Sequence, residues 1–385
     1  MAPSSSPEDT NRPADSARHL ASRFWSAAKG FWDGPSARGA WLLVGLLVAF
    51  VLLQLALQYR LNLWSRDFFD AFGRRDGSAL REQALIFLPL AASSLMVAML
   101  LVWARMTTQR EWRAWLTHRL IARWVVDDRA RRLRFAIGED RNPEYRIAED
   151  ARVATDAPIT MAVGLLTAVL NAVTFIGILW QVGGDLTVSV FGHVLTVPKY
   201  LVITVAVYAG VVSVAMTFIG RRLVHGIADK NAAEAQFRSI ASDLRDSGDI
   251  VGTAPGEIAE PGALGRALDE VIACWRTLCF QLMRITLVSQ GNLLVAPVVA
   301  WILCAPKYLV GTMSLGEVAQ AAAAFVTVQA ALNWLVDNFP GLADCLSSVK
   351  RVASLLVALD EVAPCGDPAA ASEASAEIAR CELPS

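Results

Sequence analysis

Acidic and basic residues crowd one short stretch of the sequence, Arg141–Pro158, which reads RNPEYRIAEDARVATDAP. Seven of its eighteen residues are charged, and a run without any charge, Ala157–Gly184, begins inside its last two residues. Carboxylates and guanidinium groups at this density can form ion pairs, carry protons or bind another protein. The stretch is therefore the first candidate for a functional site.

The residue order within this stretch predicts a helix. Asn142 is a good N-cap, Pro143 fits the first helical position, and Glu144 suits a first turn, where the helix dipole favours an acid. Arg146 and Asp150 lie four residues apart, so we expect them to form an ion pair on one helix face. These features predict a charged helical elbow that leads into the apolar run.

Polar side chains also interrupt the last apolar run of the chain. Gln329, Asn333 and Asp337 recur every four residues, which places them on one face of a helix. Gln320 and Thr327 form a second row, seven residues apart. Polar stripes in bilayer helices face protein or water, so the pattern predicts either a water-filled cavity or hydrogen bonds between helices. The candidate cavity-lining residues are Gln320, Thr327, Gln329, Asn333, Trp334 and Asp337.

Motifs of enzymatic catalysis are missing from the sequence. None of its lysines lies in a phosphate-binding P-loop, its four histidines have no HExxH spacing, and no GxSxG occurs. The six cysteines form no CxxC pair, so we expect free thiols. We therefore expect this chain to be no enzyme and to bind no metal and no cofactor of its own.

The distribution of charge indicates a membrane protein. Six windows of about 19 residues or longer contain no Asp, Glu, Lys or Arg, and roughly 20 apolar residues span a bilayer as a helix. The predicted fold class is an all-α, polytopic membrane protein with six transmembrane helices and long cytoplasmic helical extensions. The predicted spans are about 39–59, 83–104, 157–184, 200–220, 285–306 and 318–336.

The chain divides into one transmembrane domain and two tails. We predict a disordered tail over residues 1–18, the six-helix domain over 19–360 and a low-complexity tail over 361–385. The first span runs on into LNLWSRDFFDAF, so its helix continues past the membrane. There we expect Asp70 and Arg74 to pair at i,i+4.

Four strings of the sequence resemble a known family in order and spacing: LNLWSRDFFDAF, NPEYRIAEDARV, FRSIASDLRDSGDI with GEIAE, and SLGEVAQAAAAFVTVQAALNWLVDNF followed by LADCLSSVKRVASLL. They resemble the membrane domain of the ABC transporter subgroup that includes YddA-like bacterial exporters and the fatty-acyl transporters of the ABCD type. The SbmA/BacA peptide transporters are similar in the same region. The resemblance covers roughly residues 20–360 and implies an ABC-exporter-type fold that works as a homodimer.

The same resemblance implies which segments of this chain would contact a nucleotide-binding domain. In that subgroup, the loop after the second span carries a coupling helix that touches a nucleotide-binding domain, and here the elbow occupies that place. A second coupling region falls in SGDIVGTAPGEIAE, where the sequence departs from the subgroup's pattern. The predicted coupling residues are Asn142, Pro143, Arg146, Glu149, Asp150, Asp249 and Glu257.

The energy source has three open interpretations. Members of the subgroup continue into an ATP-binding domain, whereas this sequence ends in a tail rich in Ala, Ser and Glu, so we expect ATP to be bound by an ATPase on another chain. Alternatively, the protein is an SbmA/BacA-like peptide carrier driven by the proton gradient, or a truncated transporter that acts as a scaffold. The expected partners are a second copy, the ATPase, membrane lipid and an amphipathic solute (peptide, lipid or fatty-acyl), with no nucleic acid.

Lysine and arginine predict the orientation in a bacterial inner membrane. With both termini in the cytoplasm, the cytoplasmic segments hold 28 of these residues and the opposite side holds 7. Reporter fusions at the C-terminus should therefore be active only when the reporter works in the cytoplasm. Activity of a periplasmic reporter after residue 385 would contradict this topology.

Overall fold

The computed structural model of the chain describes residues 24–26, 28–34, 37–125, 143–190, 193–248 and 261–361. Three of the predicted coupling residues, Asn142, Asp249 and Glu257, lie outside the described residues. The predicted N-terminal tail and the C-terminal residues beyond Glu361 lie outside them too.

Long helices make up most of the described chain, which confirms the all-α class. The elements in chain order are α1 (Gly30–Asp33), α2 (Ala37–Gly73), α3 (Gly77–Val125), α4 (Pro143–Tyr145), the π-helix π1 (Arg146–Asp150), α5 (Ala151–Gly183), β1 (Leu186–Val190), β2 (His193–Val197), α6 (Tyr200–Gly248), α7 (Pro261–Leu309), α8 (Leu315–Asp337) and α9 (Phe339–Glu361).

Five helices in the described part of the chain are long and apolar enough to cross a membrane. They are α2, α3, the continuous helix of π1 and α5, α6 and α7. This finding confirms the polytopic prediction. The predicted sixth span lies in α8, which is not among the five and which carries buried Gln320, Gln329 and Asn333 within its apolar run. The number of membrane passes therefore stays a prediction.

Three of these helices are much longer than a bilayer requires. The helices α3, α6 and α7 contain 49 residues each, or about 74 Å at 1.5 Å per residue. The hydrocarbon core of a bilayer is only about 30 Å thick. Each helix is therefore long enough to extend well beyond the membrane, in agreement with the predicted long helical extensions.

A β-hairpin, which was not predicted from the sequence, connects α5 to α6. The strands β1 and β2 pair antiparallel, with Leu186 opposite Val197 and Val190 opposite His193. Alternating Val, Thr and Leu favour a strand over a helix. The alternation was visible in the sequence, and two residues between the strands are typical of a hairpin.

The chain divides into two compact units. The first comprises Met1–Gln58, Leu88–Thr167 and Asn338–Ser385, and the second comprises Tyr59–Phe87 and Ala168–Asp337. The long helices α2, α3 and α5 each contribute to both units.

Aromatic rings fix α1 within the first unit. Phe31 is 3% exposed, and its ring centroid lies 5.1 Å from that of Trp32, 6.0 Å from that of Trp115 and 6.5 Å from that of Trp112. A Cβ added at Gly30 would lie 2.9 Å from Trp115 Cζ2. The small residue and the buried ring together allow α1 to pack closely on α3.

Within the second unit, α2 contacts the beginning of α8. The helix α2 ends at Gly73, and the Asp70 carboxylate accepts a hydrogen bond from the Gly316 backbone N–H at 2.8 Å. The sequence did not predict this contact, and the predicted local pair of Asp70 with Arg74 stays a prediction. The physical reason for the contact is that the free N–H groups in the first turn of α8 attract a carboxylate.

Removing the Phe31 ring should destabilise the first unit. Burial of a large aromatic side chain predicts a loss of about 3–5 kcal/mol of unfolding free energy for Phe31→Ala. Trp25 is 57% exposed, so Trp25→Ala is the matched control, with a change of about 0.5 kcal/mol or less. Thermal unfolding of the full chain in lipid nanodiscs measures both. Equal shifts for the two variants would contradict this packing.

Candidate coupling site at the elbow

The elbow is the segment from Pro143 to Asp150, and it is helical throughout. It begins at Pro143, as the preference of proline for the first helical position predicted. The π-helix follows, and the Ala151 backbone N–H donates to the Arg146 carbonyl, five residues back. A π-turn holds more residues than an α-turn, so it changes which residues face inward. Here Ile147 and Asp150 are buried.

Asp150 is the buried charge of the elbow. Its side chain is only 2% exposed, whereas that of its partner Arg351 in α9 is 45% exposed. Arg351 Nη2 donates to Asp150 Oδ1 at 2.7 Å, and Arg351 Nε donates to Oδ2 at 2.8 Å. The Ser348 hydroxyl donates to Oδ1 at 3.2 Å. The carboxylate is thus held by a two-pronged charge-assisted interaction and by a hydroxyl.

Arg351 also forms hydrogen bonds with serine side chains of its own helix. The hydrogen bond to Asp150 raises the pKa of Arg351, and the negative charge of Asp150 acts in the same direction. Arg351 Nη2 also donates to the Ser348 hydroxyl at 2.8 Å, and Nη1 donates to the Ser347 hydroxyl at 3.1 Å. The guanidinium is therefore oriented by two serine hydroxyls of its own helix as well as by the elbow.

The Asp150 carboxylate binds Arg351 of α9, a partner that the sequence did not predict, and the predicted ion pair between Arg146 and Asp150 stays a prediction. Arg146 Nη1 donates to the hydroxyl of Ser354, also in α9, at 3.0 Å. Arg146 and Asp150 of the elbow therefore both contact the last described helix. Local spacing could not reveal this, since Arg351 lies 201 residues away from Asp150.

An apolar layer joins the same two segments beneath the charges. Ile147, Ala151 and Ala154 are buried in one cluster with side chains of α9 and α3. The fully or nearly fully buried members of α9 recur at helical spacing. They are Val352, Ala353, Leu355, Leu356 and Leu359.

The opposite face of the elbow carries charges at the surface. Arg152 Nη2 lies 2.6 Å from Glu149 Oε1, with side chains 38% and 41% exposed. Glu144 and Tyr145 are exposed as well. The elbow therefore has an inner layer that is bound to α9 and an outer layer that another protein could contact. Of the predicted docking residues, Glu149 belongs to the outer layer and Asp150 to the inner one.

The predicted cavity-lining residues all lie in the second unit, and their surroundings differ. Gln320, Gln329 and Asn333 are buried, at 2%, 3% and 4% exposure, and the Ser213 hydroxyl of α6 donates to Asn333 Oδ1 at 2.8 Å. This contact is the interhelical hydrogen bond that the sequence analysis weighed as an alternative. Thr327 and Trp334 are half-buried and Asp337 is exposed. The cavity itself stays a prediction.

Sequence reasoning missed Arg351 and Ser348, the residues that hold the elbow. A signal was present in VKRVASLLVAL, where an arginine falls next to the apolar positions of an amphipathic helix. The pattern did not name the partner, because any acid brought close by the fold would satisfy it.

The long apolar helices define this chain as an all-α, multi-pass membrane protein. The model of the family described as ABC transporter transmembrane region 2 matches residues 35–309. That match covers most of the chain, which therefore belongs to this family. The resemblance stated from the sequence is thereby confirmed.

The individual relatives are distant in sequence and longer than this chain. The chain is 23% identical over 338 residues to "Inner membrane ABC transporter ATP-binding protein YddA" of Escherichia coli (strain K12), covering 87% of the chain and 60% of that protein. It is 20% identical over 356 residues to "ABC transporter D family member 2, chloroplastic" of Arabidopsis thaliana, covering 92% and 48%. The chain thus spans about half of the length of the curated relatives it matches.

Removing Arg351 should destabilise the elbow far more than removing Glu149. Arg351→Ala leaves a buried carboxylate without its counter-charge, and such changes lower the unfolding free energy by about 3–5 kcal/mol. Glu149→Ala removes a partly exposed pair, for which about 1 kcal/mol or less is expected. Unfolding of the full chain in lipid nanodiscs, followed by thermal melting, compares the two. Similar melting temperatures for both variants would contradict the buried-pair account.

Proposed function

We propose that this chain is the membrane-spanning part of an ABC-type transporter that moves an amphipathic solute across the bacterial inner membrane. It would work as a homodimer, with ATP hydrolysed by an ATP-binding domain that docks on the elbow. The family match supports the transport class, and the relative in Escherichia coli is named an inner membrane ATP-binding protein.

The two-layered construction of the elbow supports the proposed coupling role. A segment that receives force from a docked partner must be rigid. The inner layer provides this rigidity through the Asp150–Arg351 pair, at 2.7 Å, and through the apolar cluster that packs against α9. The outer layer supplies contact groups in Glu144, Tyr145 and Glu149.

The same construction assigns different roles to neighbouring acids. Asp150 would act as a positioning residue, because its carboxylate is occupied by Arg351 and Ser348. Glu149 accepts two hydrogen bonds from Arg152, at 2.6 and 3.1 Å, and remains at the surface. We therefore assign partner contact to Glu149 and mechanical support to Asp150.

Transport in membrane vesicles tests this function. Inverted vesicles that contain the chain and its native membrane proteins would be given a fluorescent amphipathic peptide and a fluorescent fatty acid as probes. We expect accumulation of one probe that requires ATP and persists with a protonophore. Glu149→Ala should lower the rate about tenfold at an unchanged amount of protein, as expected for the loss of about 1.4 kcal/mol of coupling.

The matched control is Arg110→Ala, since Arg110 forms a surface pair with Glu111 and its side chain is 73% exposed. It should transport at the normal rate. Transport that survives ATP depletion but stops with a protonophore would replace the proposal with a proton-driven carrier. Absence of transport for both probes under either energy source would favour the scaffold interpretation.

A further inference from the structure

The contact between α2 and α8 in the second unit is more elaborate than helix packing requires. Arg66 Nη2 donates to Glu317 Oε1 at 2.9 Å, and the Gly316 backbone N–H donates to Asp70 Oδ1 at 2.8 Å. Arg66 and Asp70 lie four residues apart on α2, so they face α8 together. We name Arg66, Asp70, Gly316 and Glu317 the clasp.

The clasp residues of α2 contact the first turn of α8, where the backbone N–H groups have no partners within the helix. Glu317 is already engaged in capping, because its Oε2 accepts the Ser314 N–H at 3.0 Å while the Ser314 hydroxyl accepts the Glu317 N–H at 3.1 Å. This reciprocal arrangement is a capping box. Asp70 then satisfies a further free N–H of the first turn, at Gly316. The beginning of α8 is thus built jointly by its own residues and by α2.

Gly316 makes this approach possible. A Cβ at this position would lie 2.1 Å from the Arg66 carbonyl oxygen and 2.6 Å from the Asp70 carboxyl carbon. Separations this short do not occur between real atoms, so any side chain at position 316 would push the two helices apart. By contrast, a Cβ at Gly73 would lie 3.7 Å from Leu315, which is ordinary contact.

One helical turn further along, the same seam between α2 and α8 is poorly satisfied. Asn62 Nδ2 donates to the Gln320 backbone oxygen at 3.2 Å. The side-chain oxygens Asn62 Oδ1 and Gln320 Oε1 are buried and have no hydrogen-bond partner among the described residues. Asn62 is 5% exposed and Gln320 is 2% exposed. Buried acceptors without donors disfavour the state that buries them.

The other side of α2 is held to a different helix. Trp64 Nε1 donates to the Gln83 carbonyl of α3 at 2.9 Å, and the Trp64 ring centroid lies 4.7 Å from that of Phe87. The α2–α3 pair is therefore fastened by apolar contact and a hydrogen bond. The α2–α8 seam, in contrast, is held at one end by the charged groups of the clasp. Its buried acceptors at Asn62 and Gln320 have no donors among the described residues.

From this asymmetry we propose that the clasp is a releasable closure. It holds the α2–α8 seam shut, and the seam opens there during transport, when Asn62 and Gln320 gain hydrogen-bond donors from water or from the solute. Arg66 and Asp70 are then positioning residues that set the balance between closed and open states. The opening step rests on the proposed transport function, whereas the closed clasp does not.

Thiol labelling of the Gln320→Cys variant measures closure without any need for a transported solute. The full chain is kept in native membranes, Cys304 is retained as a buried internal reference at 0% exposure, and the other native cysteines are replaced by serine. With the clasp intact, N-ethylmaleimide should react with the Gln320→Cys thiol far more slowly than with a Phe72→Cys thiol, since Phe72 is 60% exposed.

Two clasp variants should open the seam. Gly316→Ala and Arg66→Gln should each raise the labelling rate at position 320 about tenfold or more, the change that losing one charge-assisted hydrogen bond produces. The matched control Gly73→Ala should leave the rate unchanged. If Gly316→Ala makes Cys304 reactive, that variant has unfolded and Arg66→Gln decides the outcome.

Two results would overturn the proposal. Rates for Arg66→Gln equal to those for Gly73→Ala would mean that the clasp does not hold the seam. If the clasp variants behave as expected, supplying energy to vesicles with the intact clasp should also accelerate labelling. An unchanged rate in vesicles that do transport a probe would show that the seam stays closed, and the transport assay itself reports separately on the proposed function.

Discussion

The buried carboxylate of Asp150 is the constraint on which the elbow depends. An ionised group removed from water is tolerated only when a counter-charge and hydrogen bonds replace its hydration. Arg351 and Ser348 provide both, at 2.7 and 3.2 Å. Because these partners lie in α9, the elbow reaches its observed form only when the last described helix is in place.

Because of this dependence, the elbow and α9 should move together within the first unit. The charge pair, the Arg146–Ser354 hydrogen bond and the apolar layer of Ile147 with its α9 neighbours connect the same two segments in three chemically different ways. A force applied to the outer layer at Glu149 would therefore displace α9 together with the elbow. On the proposed function, this connection would carry the movement of a docked ATP-binding domain into the membrane helices.

Much of the fold followed from the sequence, and the reasons are local. Charge-free windows predicted the long helices because lipid excludes charge, and Asn142-Pro143 predicted where the elbow begins because proline suits a first turn. Contacts between distant segments could not be predicted in this way. Spacing suggested pairs of Arg146 with Asp150 and of Asp70 with Arg74, but it gave no sign that Asp150 binds Arg351 or that Asp70 binds the first turn of α8. The hairpin between α5 and α6 was not predicted, although the alternation of its residues was visible in the sequence.

The most direct test of the account is a distance measured between the elbow and α9. Spin labels can be placed at Glu144 and Leu346, which are exposed and lie outside the Asp150–Arg351 pair. Double electron–electron resonance on the full chain in lipid nanodiscs should give one narrow distance distribution, and Arg351→Ala should broaden it. A distribution that is already broad with the pair intact, or that does not change in Arg351→Ala, would contradict the claim that this ion pair joins the elbow to the last helix.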